Sequence, residues 1–96
     1  MTRELWVDLD PRDVLEEAKA FFAGPESGFS GTPDGEGPSF VRFRTFRGTL
    51  TVTAVRESAD GRERTRVRVS TLRAHPAVAQ FLTLLRTEDE ARASAA

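Results

Sequence analysis

Residues 40–71 constrain the fold of this 96-residue chain more than any other stretch. Apolar and polar side chains alternate there on either side of two short turn signals, Arg47-Gly48 and Asp60-Gly61. Folding the chain at Arg47-Gly48 pairs Phe46 with Thr49, Phe43 with Val52 and Val41 with Ala54. Folding it at Asp60-Gly61 pairs Glu57 with Arg64, Val55 with Arg66, Val52 with Val69 and Leu50 with Thr71. The turns are chosen independently, yet both put Val41, Phe43, Thr45, Leu50, Val52, Ala54, Val67, Val69 and Thr71 on one face. A slip of one residue at either turn would mix the two faces, so the pattern predicts a three-stranded antiparallel meander with one buried side.

The flanking segments supply the cover for that side. Leu5, Val7 and Leu9 alternate with Glu4, Trp6 and Asp8, the period of a strand with one buried face. Asp10-Pro11-Arg12-Asp13 opens a helix over 11–23: Asp10 caps the free amides, Pro11 fits the first position, and Asp13 complements the dipole. Val14, Leu15, Ala18, Phe21 and Phe22 form its apolar stripe, and Gly24-Pro25 ends it. A second helix begins at His75-Pro76, with Val78, Phe81, Leu82 and Leu85 at helical spacing. Residues 24–37, rich in glycine and proline, read as a loop or flap pinned by Phe29, and the acidic, alanine-rich tail 88–96 is expected to fray. The reading is an α+β two-layer sandwich formed by one domain over 1–87. Its four-stranded, mainly antiparallel sheet runs in the order β-α-β-β-β-α, with both helices on one face.

That element order resembles the TATA-binding-protein-like and helix-grip arrangements, which carry helices on one side of a curved antiparallel sheet. The resemblance rests on element order and implies no particular function.

Composition excludes several chemistries. With no cysteine and one histidine, His75, the chain has no disulfide, thiolate nucleophile or cysteine zinc site. The two aspartates of Asp8-Leu9-Asp10 are spaced like the strand-end pair of haloacid-dehalogenase phosphatases. Pro11-Arg12 replaces that family's turn, however, and capping explains Asp10. His75 lacks a nucleophile elbow, and Asp34-Gly35-Glu36-Gly37 lacks the later glutamate of a calcium loop. No catalytic residue, metal site or cofactor is expected. No apolar run approaches the roughly 20 residues of a bilayer span, and the N-terminus lacks the layout of a signal peptide, so a cytoplasmic protein is expected. Thirteen arginines accompany one lysine, and isoleucine, asparagine and tyrosine are absent, which points to a GC-rich, bacterial genome. Arginine number therefore says little about function; arginine position says more.

Charge is segregated. Residues 1–37 carry nine acidic and three basic side chains, residues 38–86 three acidic and ten basic. On the outward face the meander presents Phe40, Arg42, Arg44 and Phe46, then Thr49, Thr51, Thr53 and Val55, then Arg64, Arg66, Arg68 and Ser70. Glu4, Trp6 and Asp8 of the first strand are expected beside the last strand, neutralising Arg64, Arg66 and Arg68, with Trp6 near a guanidinium. Arg42 and Arg44, on the far strand, have no such partner and are expected to meet something external.

A protein-interaction module follows from Phe40, Phe46, Val55 and Trp6. It would bind a protein partner or a second copy through the outward face or the edge strand 40–46. A nucleic-acid binder using Arg42, Arg44, Arg66 and Arg68 is the alternative, weakened by a net charge of −1. A third reading, an apolar ligand gripped between sheet and helices beneath the 24–37 flap, competes with a core large enough to fill that space.

Overall fold

The structure, a computed structural model, describes residues 1–24, 28, 29, 31–45, 48–72 and 76–95. The chain runs β1 (Thr2–Val7), α1 (Pro11–Ala23), β2 (Thr32–Gly37), β3 (Phe40–Thr45), β4 (Gly48–Ala59), β5 (Arg62–Thr71) and α2 (Pro76–Ala95). The strands form one antiparallel sheet in the order β1-β5-β4-β3-β2. Both helices pack on one face of it.

The β4–β5 hairpin is the longest ladder, from Leu50 opposite Thr71 to Ala59 opposite Arg62, in the register that the Asp60-Gly61 turn predicts. Asp60 and Gly61 both have positive φ, 53° and 81°, the conformation whose twist suits a two-residue hairpin. The parity of that ladder sends Leu50, Val52, Ala54, Val67 and Val69 into the core, each essentially without exposure. β1 lies against the other side of β5, with Trp6 opposite Arg66 and Glu4 opposite Arg68.

Three expectations need correction. The sheet has five strands rather than four, because 32–37, within the expected flap, pairs with β3 as an edge strand. Its composition reads as loop, yet the glycines have a packing reason: a Cβ on Gly37 would stand 2.6 Å from the Phe40 ring, and one on Gly35 3.0 Å from the Arg42 guanidinium. The β3–β4 register is also displaced by two residues from that expected, with Val41 opposite Val52 and Thr45 opposite Gly48. An even displacement keeps every side chain on its face, so alternation cannot detect it. The Ala54 amide donates to the Ser39 carbonyl at 2.9 Å, and the Thr45 hydroxyl to the Gly48 carbonyl at 3.4 Å, contacts that belong to the observed register. Finally, the tail expected to fray continues α2 to Ala95. Arg92 reaches Asp13 of α1 at 3.3 Å, and Asp89 accepts the Asp8 amide at 2.9 Å. Phe46, Arg47, Pro25 and His75 lie outside the described residues.

α1 starts as its sequence predicts, with the Asp10 carboxylate accepting the Arg12 amide at 3.0 Å and Pro11 in the first turn. Its stripe buries Val14, Leu15, Ala18 and Phe22. The Phe22 ring is the centre of the core: its centroid lies 5.1 Å from Phe21, 5.6 Å from Phe29 and Phe43, and 5.0 Å from Phe81. One side chain thus ties together both helices, β3 and the segment before β2. The buried Thr65 hydroxyl donates to the Leu9 carbonyl, and no buried side-chain polar atom among the described residues lacks a partner. Beyond Phe21 and Phe81 the seam between the helices turns polar, with Glu17 against Glu88. Burial, and then the charge and hydrogen bonding of Glu88, raise the pKa of Glu17 above its ordinary value.

Two measurements follow. Val52→Asp places a charge at the centre of the inward face and is expected to cost more than about 4 kcal/mol, abolishing cooperative thermal unfolding. Glu17→Gln is expected to stabilise the protein at neutral pH by roughly 0.5 kcal/mol, read by denaturant titration. With its folded-state pKa raised, Glu17 contributes most below the pKa of the unfolded chain and loses that contribution as pH rises through the folded value. The advantage of the glutamine variant therefore disappears as the pH falls to about 4.

Candidate functional site: the outward face of the sheet

With both helices on one side, the other side of the sheet is the only extended face the described fold leaves uncovered by a helix. It is built by the parity that fills the core: if Val67 and Val69 point in, then Arg64, Arg66 and Arg68 point out. Stacking arginines at alternate positions of one strand concentrates positive charge, and the neighbouring strands answer it. Glu4 of β1 accepts Arg66 Nε and Nη2 at 3.1 and 3.0 Å, and Glu57 of β4 accepts Arg66 Nη1 at 3.2 Å. Hydrogen bonding to Glu4, then to Glu57, holds the Arg66 guanidinium above its usual pKa. Arg68 also reaches Glu4, at 3.5 Å, while Asp8 binds Arg64 at 3.2 Å and Arg62 at 3.3 Å. The predicted neutralisation of the Arg64, Arg66 and Arg68 row by Glu4 and Asp8 is thus present.

The expectation that Arg42 and Arg44 have no partner within the chain is overturned. Asp34, at the register shift in β2, lies 2.8 Å from Arg44 and 3.7 Å from Arg42, and its carbonyl accepts Arg42 Nη2 at 3.2 Å. The Arg42 guanidinium lies over Gly35, where a side chain would crowd it. β3, expected as the sheet edge, is covered by β2. Sequence reasoning missed Asp34, Glu57 and the glycine seats. The available signal was Gly37-Pro38-Ser39-Phe40, a hairpin connection that, carried backwards, sets 32–37 opposite β3.

Between the ion pairs runs an apolar band. Trp6 is half-buried and faces Val55 across the stem of Arg66; Val55 is 39% exposed; Phe40, diagonal to Val55 through Thr53, rests on Gly37. Phe46, expected to extend this band, is outside the described residues. On the opposite side of the sheet the ring cluster around Phe22 occupies the space that a ligand between sheet and helices would need. Among the described residues no three carboxylate or histidine side chains converge as metal ligands, and no helix is long and apolar enough to cross a membrane.

No family model matches this chain, and neither a curated protein nor a solved structure is found similar to it.

Because Asp34 holds two exposed arginines by itself, Asp34→Ala is expected to change stability by less than about 1 kcal/mol. The same substitution should raise retention on a heparin column at low salt. Unchanged retention would mean that Asp34 does not mask Arg42 and Arg44.

Proposed function

We propose that this domain is a non-catalytic protein-interaction module that receives another protein on the outward face of its sheet. The observation that carries the reading is the combination of an uncovered face with arginines already held by carboxylates from the same chain. Such a face meets a partner without first desolvating unpaired charges, and its Trp6, Val55 and Phe40 band offers the apolar centre that interface hot spots need. The pairing counts against a nucleic-acid binder, in which Arg42, Arg44, Arg66 and Arg68 would have to exchange Asp34, Glu4 and Glu57 for phosphates. The packed Phe22 cluster counts against an apolar ligand between sheet and helices.

The test is affinity capture from the native host, with the domain immobilised through its C-terminus, followed by titration of the recovered protein. Val55→Glu puts a charge in the middle of the band at an exposed position. It is expected to weaken partner binding at least about 30-fold without lowering the melting temperature. A captured protein other than a second copy of this chain that binds Val55→Glu as well as wild type, or tight and steeply salt-dependent binding of a short oligonucleotide, would contradict the reading.

A further inference from the structure

The two edges of the sheet differ. β2 is interrupted by a register shift between Pro33 and Gly35, and Pro33 has no amide hydrogen to donate, both devices that discourage pairing with another strand. β1 has neither. Its six residues pair with β5 without a break from Thr2 opposite Ser70 to Val7 opposite Thr65, and Thr2, Arg3 and Glu4 are exposed. Met1 and Thr71 exchange main-chain hydrogen bonds at 2.6 and 2.9 Å, which fixes the phase of the ladder. Met1, Arg3, Leu5 and Val7 direct their N–H and C=O groups towards β5, and Thr2, Glu4 and Trp6 direct theirs away from the sheet.

We propose that β1 pairs antiparallel with β1 of a second copy about a twofold axis at Leu5, joining the two sheets into one. An axis perpendicular to the sheet keeps the helices of both copies on the same side, and the charges of β1 select its position. Centred on Arg3, the pairing sets Arg3 against Arg3; centred on Glu4, it sets Glu4 against Glu4; centred on Trp6, it sets Glu4 against Asp8. Like charges directly opposite each other destabilise a ladder. A centre at Thr2 or Val7 leaves much of β1 unpaired.

Centred on Leu5, Leu5 meets Leu5 on the helix side, Trp6 meets Glu4 on the outward side, and Arg3 meets Val7, with no like charges opposed. Leu5 is half-buried at the margin of the core, so its counterpart in the second copy completes its cover. Arg3 enters no ion pair among the described residues. Opposite Val7 of the second copy it comes beside the Asp8 amide, where the Asp89 carboxylate is already anchored at 2.9 Å. The pairing takes the Trp6 carbonyl from Arg64, a long contact of 3.4 Å, and Arg64 keeps Asp8 at 3.2 Å. The contact turns on Leu5 and Arg3, on the other side of the strand from Val55 and Phe40, and does not depend on the outward-face reading.

The chain has no cysteine, so single introduced cysteines report the register without interference. At the centre of the axis the two Leu5 Cα atoms stand roughly 4.5 Å apart, within disulfide reach, whereas two copies of Arg3 stand roughly 13 Å apart along the strands. Under mild oxidation Leu5→Cys is expected to form a covalent dimer readily, and Arg3→Cys and the outward-face Thr53→Cys only slowly. In sedimentation the wild-type chain is expected to be a dimer, intact in Val55→Glu, and Arg3→Glu to weaken it about tenfold. A wild-type monomer at the highest soluble concentration would overturn the proposal. So would a Leu5→Cys protein that crosslinks no faster than Arg3→Cys. A dimer abolished by Val55→Glu while Arg3→Glu leaves it unchanged would place self-association on the face and overturn the edge.

Discussion

The rest of the structure depends on the pairing of β4 with β5. Its two-residue turn at Asp60-Gly61 sets which residues are opposite, and parity then leaves no freedom: the valines that close the core commit Arg62, Arg64, Arg66 and Arg68 to the other side. Four guanidinium groups spaced roughly 7 Å apart along one strand repel each other unless carboxylates lie between them. Glu57 comes from within the hairpin, Glu4 from β1 and Asp8 from the residue that follows β1. At the other edge of the same face the relation recurs between Arg42 and Arg44 of β3 and Asp34 of β2. The strand order and the charge segregation are therefore one fact. The acidic N-terminal part of the chain supplies both outer strands, and the basic part supplies the three strands between them.

How much of this could be read from the sequence depends on which physical signal each feature carries. Alternation reports faces, and it gave the inward set of β3, β4 and β5 together with the placement of β1 beside the arginine row. It is blind to displacement by two residues, which is why the β3–β4 register came out shifted while the β4–β5 register, tied to a stronger turn signal, did not. β2 carries almost no apolar signal: its glycines are there to receive Phe40 and Arg42, so its role is visible only from the strand it covers. The last turns of α2 were hidden for a related reason. Their positions nearest α1 and Asp8 are Glu88, Asp89 and Arg92, which make polar contacts rather than an apolar stripe.

The candidate site divides in the same way. Phe40, Val55, Trp6 and the arginines were legible because strand parity assigns them to the outward face. The pairing of Arg64, Arg66 and Arg68 with Glu4 and Asp8 was legible too; that of Arg42 and Arg44 was not, since it required knowing that 32–37 is an edge strand carrying Asp34. The arginines of the face are cross-links between strands, and under the proposed function the apolar side chains set among them carry recognition. Under the proposed function, such a surface discriminates between partners by shape and by whether they disturb the ion pairs, rather than by net attraction.

The outward arginines serve the sheet itself, and the contact that shows it best is Arg66 with Glu4, made through two guanidinium nitrogens. A double-mutant cycle with Glu4→Gln and Arg66→Gln, measured by denaturant unfolding at low and high salt, tests it directly. A favourable coupling between the two residues that shrinks as salt is raised is the expected result. Additive effects at both salt concentrations would show that the pair does not hold β1 to β5, and would return Arg66 to the set of side chains free to bind something else.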